Sequence, residues 1–343
     1  MKKIIVLLNI CLIIVSCQES KTLLIDYFDK IQEYELKEIV KYPWNSIGHP
    51  DMIFSHEDYI ILSEPKLDYL LSIYNMETQS FTRFLPKGEG PDELLDVQQI
   101  RSYKSDSLFC VKSTFSKDIF VYAFNSDSCL IRDEVSDRSI LSFFYDNNKL
   151  ICSQSGQHKR CSLHDIENKS TVEFGEDIVI ENCSPNVVTS ILTGICAGNT
   201  ESKRVAWGSV YGDVFEIYDY ENTENIKTIF SVKGILPVIT DPKMLVFSLE
   251  TKLGISSIVV TDKYIYLLYN ENQLKNAIDK RDDVFLSNKI LIYDWNGIPQ
   301  KVLKTNELIR YMSYNDKYKT IYCIGYNNNG DGKIYYIDDL DNL

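Results

Sequence analysis

Six short apolar runs, at 58–62, 106–111, 148–152, 203–207, 262–268 and 319–324, are each entered through a polar turn. Runs of this length bounded by turn residues predict buried strands. An aromatic run ending on Asn or Asp follows each one. These are Ile73-Tyr74-Asn75, Val121 to Asn125, Leu163-His164-Asp165, Ile217-Tyr218-Asp219, Ile292-Tyr293-Asp294 and Tyr335 to Asp338. Paired in order, the two series predict the second and third strands of a repeated antiparallel unit. The central positions 74, 122, 164, 218, 293 and 336 lie 48, 42, 54, 75 and 43 residues apart. Most of these intervals match a four-stranded propeller blade. The 75-residue interval has room for a seventh blade but holds one strand pair of the repeating kind. We therefore read it as two insertions, 234–250 and 270–288, the second with a short helix around Leu274, Ala277 and Ile278. The expected fold is all-β: a six-bladed β-propeller of four-stranded antiparallel blades over residues 34–343. The last blade has three strands, and residues 36–41 are expected to supply its fourth, closing the ring at the N-terminal strand.

The first residues follow another pattern. Met1-Lys2-Lys3 is basic, and 4–15 is apolar apart from Asn9. That run falls short of the about 20 residues a membrane span needs and has the form of a secretory signal peptide. It ends Ile14-Val15-Ser16-Cys17, which resembles the bacterial lipobox. There the small Ser16 admits the peptidase and the Cys17 thiol accepts the lipid. The expectation is a signal peptide at 1–16, lipidation at Cys17, and a lipidated tether over 17–33 that holds the protein on a membrane of the cell envelope. Gln18, where inner-membrane retention signals carry Asp, points by resemblance to sorting rules to the outer membrane, on either its periplasmic or its surface face. A plain secreted protein whose leader happens to contain Cys is the alternative.

Composition adds limits. The chain has 343 residues, 44% of them apolar, with 23 Tyr and 15 Phe, which favours pleated and half-buried surfaces. Its formal charge is −13, and Lys2 and Lys3 leave with the leader, taking the rest to −15. Such a surface repels phosphate backbones, so nucleic acid is not an expected partner. Of nine Cys, Cys11 lies in the leader and Cys17 is the lipid acceptor. The remainder is odd in number, which excludes complete intramolecular pairing. Cys152 and Cys161 flank a turn at 156–159 and form the best disulfide pair; buried free thiols are the simpler alternative.

Gly88-Glu89-Gly90-Pro91-Asp92-Glu93-Leu94 resembles the G-x-G-P-x-E-[FL] motif of the TolB-like six-bladed propeller lipoproteins of Bacteroidetes. The resemblance implies a six-bladed fold and an envelope location and carries over no catalytic residues. Physically, Gly88 and Gly90 admit backbone angles that other residues resist, Pro91 fixes the next φ, and the Glu93 carboxylate is placed to cap free amides of the turn. In propellers, connections between blades and those between second and third strands open on one face. Lys87, Glu89, Asp92, His158, Arg160, Tyr211 and Arg281 are therefore the expected rim of a binding site.

Reactive constellations are weak. The four His, at 49, 56, 158 and 164, form no HxH or HExxH spacing, and no CxxC occurs, so no metal or cofactor is expected. Asn327 to Gly332 resembles a calcium loop, though an Asn/Gly hairpin turn explains it more simply. No G-x-S-x-G elbow, P-loop or nucleotide fingerprint is present. The sequence reads best as a lipid-anchored envelope propeller that binds or scaffolds a protein, peptide or glycan. A propeller enzyme, such as a metal-assisted lactonase or a lyase acting on sugars or peptides, is the alternative.

Overall fold

The computed structural model describes residues 23–39, 50–124, 129–134, 140–154, 159–177, 183, 187–188, 191–241, 246–326 and 332–340, with side chains left aside at 105–106, 133–134 and 280–282. Two short strands open it, β1 (Ile31–Tyr34) and β2 (Lys37–Glu38). Four separate four-stranded antiparallel sheets follow in chain order. The first blade is β3 (Met52–His56), β4 (Tyr59–Ser63), β5 (Tyr69–Asn75) and β6 (Ser80–Pro86). The second is β7 (Gln99–Tyr103), β8 (Ser105–Lys112), β9 (Asp118–Ala123) and β10 (Ile131–Glu134). The third is β11 (Ile140–Asp146), β12 (Lys149–Gln154), β13 (Cys161–Asp165) and β14 (Ser170–Phe174). The fourth is β15 (Gly194–Asn199), β16 (Arg204–Ser209), β17 (Val214–Asp219) and β18 (Lys227–Lys233). A small hairpin, β19 (Ile239–Asp241) with β20 (Val246–Phe247), fills the first predicted insertion.

The remaining strands are β21 (Ile255–Val260), β22 (Tyr264–Tyr269), β23 (Ser287–Asp294), β24 (Pro299–Asn315), β25 (Thr320–Tyr326) and β26 (Gly332–Ile337). With β1 and β2 these six form one eight-stranded sheet, continuous because β24 serves two blades. Its first part, Pro299 to Lys304, pairs with β23 as the outer strand of the fifth blade. Its second part, Leu308 to Asn315, pairs with β25 as the inner strand of the sixth. The inner strands close a ring: β3 packs on β7, β7 on β11, β11 on β15, β15 on β21, β21 on β24, and β24 on β3. Each of the six gaps between blades carries its own hydrophobic cluster among the described residues. The six-bladed expectation therefore holds, and the core lies between blades rather than inside any one of them.

The aromatic runs of all six motifs lie on third strands and the six upstream runs on second strands, as the pattern requires; Asn125, which ends the second motif, lies outside the described residues. Tyr74, Tyr122, Tyr218 and Tyr293 are buried in the gaps between blades. The Asx side chains cap the turns into the fourth strands. Asn75 Oδ1 accepts from the Glu77 and Thr78 amides, Asp165 from that of Asn168, Asp219 from that of Glu221, and Asp294 from those of Asn296 and Ile298. These turns lie on one face of the ring, the turn face. The longer second-to-third-strand loops and the blade connections lie on the other, the loop face.

β2 pairs antiparallel with β26, Lys37 opposite Tyr336 and Glu38 opposite Tyr335, and supplies the fourth strand of the last blade. The chain meets the ring earlier than the boundary at 34 read from the sequence. β1 runs parallel to β24, with Ile31 opposite Val302. Ahead of it, a 3-10 turn at Leu24–Tyr27 seats Leu24 in the gap between the fourth and fifth blades. No helix among the described residues is long and apolar enough to cross a membrane.

The proposed Cys152–Cys161 disulfide does not form, and both are free thiols. In the observed register Cys152 faces Ser162 and Cys161 faces Ser153. That one-residue offset sends the two side chains to opposite faces of the sheet. Cys152 packs toward the second blade and Cys161 toward the fourth. Burial raises the pKa of Cys161, and that of Cys196 to about 11, so both are neutral core thiols.

Candidate functional site

The motif loop after β6 is a self-contained turn. The Gly88 amide donates to Leu94 O at 3.0 Å, Leu94 N to Pro86 O at 3.2 Å, and Glu93 N to Gly90 O at 3.2 Å. Glu93 Oε2 accepts from the Gly90 amide at 2.9 Å, as the capping argument required. The glycines serve space rather than a left-handed backbone. A Cβ on Gly88 would collide with the Glu93 carboxylate, and one on Gly90 would sit 3.0 Å from its carbon. Arg132 of β10 donates to Pro91 O, pinning the loop to the second blade. Replacing Gly88 by Ala is expected to cost about 1 kcal/mol by displacing the Glu93 cap. The cost should vanish in a Glu93→Ala background, as urea unfolding of the double-mutant cycle will read.

The expected rim is dispersed. Lys87, Glu89 and Asp92 are exposed on this loop, between the first and second blades; the Lys87 ammonium donates to Pro65 O at 2.9 Å. Tyr211 lies at the junction of the fourth and fifth blades, half-buried and tilted at 35° against Phe247 with ring centroids 4.6 Å apart. Arg281 begins a 3-10 turn, Arg281–Phe285, in the second insertion at that same junction. In a six-blade ring these two junctions are diametrically opposed, so the residues do not converge. His158 and the Asn327 to Asp331 stretch lie outside the described residues, as does Cys17.

Arg160 is not a rim residue. It is 3% exposed, and its guanidinium donates to the Glu216 carboxylate, itself 0% exposed, and to Glu176 O. It lies over the Trp207 ring at 4.8 Å from the centroid. Tyr218 donates to the same Glu216 oxygen. This network bolts the third blade to the fourth. A second buried pair sits one gap further on, where Lys252 Nζ donates to Asp213 Oδ1 at 3.0 Å and to the Tyr269 hydroxyl at 2.7 Å. Burial holds the Lys252 pKa below its ordinary value and lifts that of Asp213, against their mutual attraction.

Two open cavities lie instead on the turn face, on either side of the sixth blade. One, of about 440 Å³, lies between the fifth and sixth blades and is lined by Tyr264, Tyr266, Tyr314, Tyr318, Asp262 and Lys319. The other, of about 570 Å³, lies between the sixth and first blades and is lined by Tyr74, Tyr318, Tyr322, Tyr336, Met76 and Ile39. Tyr318 is shared, so the two form one aromatic surface across the sixth blade. Tyr264 and Tyr266 alternate with Ile265 and Leu267 on β22, which turns both rings toward the sixth blade. Burial lifts the phenols of Tyr314 and Tyr322 to about 12, so both are neutral at physiological pH. Asp58 accepts from Lys317 and Tyr318 at the edge of the surface. The sequence pattern marked Tyr74, Tyr264, Tyr266, Tyr322 and Tyr336 as strand residues and passed over Tyr314 and Tyr318; their convergence depends on blade contacts that no local pattern reports. Among the described residues no three His, Cys, Asp or Glu gather as metal ligands.

A family model described as TolB-like 6-blade propeller-like matches residues 32–315. Among solved structures, a member of the DUF4221 family from Bacteroides vulgatus matches with a TM-score of 0.58 at 9% identity, over 88% of this chain and 94% of that one. The computationally designed Ika8 protein matches with a TM-score of 0.43 at 9% identity, over 89% of this chain and 74% of that one. No curated protein matches the sequence.

Proposed function

The chain belongs to the TolB-like 6-blade propeller-like family, and on that premise we propose that it is a binding or scaffolding module held at the cell envelope by a lipid on Cys17. Its ligand is a peptide or glycan taken on the turn face. The observation that carries this reading is the tyrosine surface across the sixth blade, with its two cavities of about 440 and 570 Å³. Aromatic walls with a few polar groups at the edges are the chemistry of small-ligand recognition. Tyr supplies a large apolar face and a hydroxyl that hydrogen-bonds, at little cost in side-chain entropy. Asp262, Lys319, Glu38 and Asp338 stand at the margins and supply both signs of charge. The lipobox form of residues 14–17 supports the anchor.

The test is a screen of envelope oligosaccharides and peptides against the purified chain, followed by Tyr264→Ala and Tyr318→Ala. Each substitution is expected to weaken binding about tenfold, ~1.4 kcal/mol. Substitution of Glu89 and Asp92 on the loop face should leave binding unchanged. Binding that ignores both tyrosines but falls with the loop-face pair would move the site to the opposite face.

A further inference from the structure

We propose that the two insertions on the loop face form an apolar platform that beds into the lipid surface, so that the propeller stands on the membrane with its turn face outward. The platform is one built unit. The Lys275 amide donates to Leu249 O at 2.8 Å, Leu274 N to Thr251 O at 2.9 Å, and Lys252 pairs with Gln273. Thr251 Oγ1 both accepts from Val238 N and donates to Val238 O. From this tied base Ile235, Val238, Val246, Leu249, Ile278 and Phe285 project into solvent, Leu249 being 56% and Ile278 72% exposed. All six lie on the two tied insertions, with the exposed Lys275–Glu250 ion pair among them, and such a concentration of exposed apolar side chains marks an interaction site.

The course of the chain selects lipid as the occupant, an argument that rests on the anchor reading above. Leu24 is seated in the gap between the fourth and fifth blades beside Tyr269, and Asp26 acts electrostatically on that phenol. Tyr269 accepts from Lys252, whose backbone pairs with the second insertion. The chain thus joins the ring next to the platform. Only six residues separate Cys17 from Leu24, a reach of about 25 Å when fully extended. A lipid on Cys17 therefore holds this side of the ring close to the bilayer, where apolar side chains leave water for the acyl boundary and add a second contact to the anchor.

The experiment places the full chain on phosphatidylcholine vesicles whose acyl chains are brominated and reads Trp fluorescence in Leu249→Trp, Ile278→Trp and Tyr318→Trp. The first two should gain emission that is blue-shifted and quenched by at least half. The third, on the turn face, should gain emission that is not quenched. Leu249 and Ile278 are exposed, so thermal melts of their variants should match the parent; Tyr318→Trp gives up one surface hydrogen bond to Asp58 and should stay folded at the assay temperature. Unquenched emission in both platform variants overturns the inference, and a blue shift that instead follows protein concentration overturns it in favour of a contact between copies. Fractionation of the parent and of Cys17→Ala reads the anchor separately. A parent that stays soluble sinks the anchor reading, and quenching on added vesicles then still decides the platform.

Discussion

Replacing Glu216 by Ala should lower the stability of the propeller by about 3–5 kcal/mol, the range for stranding one partner of a buried ion pair. Glu216 sits on β17 in the gap between the third and fourth blades and takes hydrogen bonds from both Arg160 and Tyr218. Without it the guanidinium keeps its place over Trp207 and its bond to Glu176 O but loses its buried countercharge while staying 3% exposed. The desolvation penalty is then unopposed. Removing both charges is a different change: Arg160→Met with Glu216→Leu should recover most of the loss, because the Coulombic gain of the pair largely offsets its own desolvation. A surface pair supplies the control. Lys159 and Asp177 are also bonded, yet Asp177→Ala should cost under ~1 kcal/mol because solvent screens it. Urea midpoints of the three variants read the order. A loss below ~1 kcal/mol in Glu216→Ala would mean that the blades part easily enough for water to reach Arg160.

The second large effect is expected at the other end of the chain. Leu24→Ala should cost about 2–5 kcal/mol, as a buried Leu truncation does when the site cannot collapse. Leu24 is 0% exposed and packs among Phe215, Tyr269, Tyr293 and Trp295. Its carbonyl accepts from the Tyr293 hydroxyl at 3.4 Å, and Phe28 meets the same ring edge-on at 4.8 Å. Large rings fixed by their own strands cannot close over the vacancy. If residues up to 33 acted only as a tether, the substitution would be neutral, so chemical unfolding of this one variant separates the two descriptions. The loss should appear in the global transition, since β1 and β2 follow directly and β2 completes the sixth blade.

The fold was legible where the signal was local. Apolar runs between turns mark strands wherever they occur, and an Asx that caps the turn after a third strand does so within four residues of itself. Repetition then supplies the blade count. Closure by residues near 37 followed from arithmetic, because three strands in the last blade leave one edge to be paired. Glu93 was readable for the same reason, since it caps Gly90 three residues away.

What failed depended on register or depth. Cys152 and Cys161 flank one turn, but a single-residue offset sets them on opposite faces. Arg160 belongs to a loop by sequence and is buried because a neighbouring blade offers it Glu216, 56 residues on. The aromatic surface gathers Tyr74, Tyr264 and Tyr318 from three blades, and Leu24 fills a gap whose buried walls come from residues 206 to 302.

The sequence by itself determined the strands, their order and the number of blades, because strands rest on periodicity within a few residues and the blade count on how often that local pattern recurs along the chain. Only the tertiary structure decided which side chains meet across the gaps. Each blade presents two faces to two different neighbours, and the pairing of faces is set by packing of the whole ring.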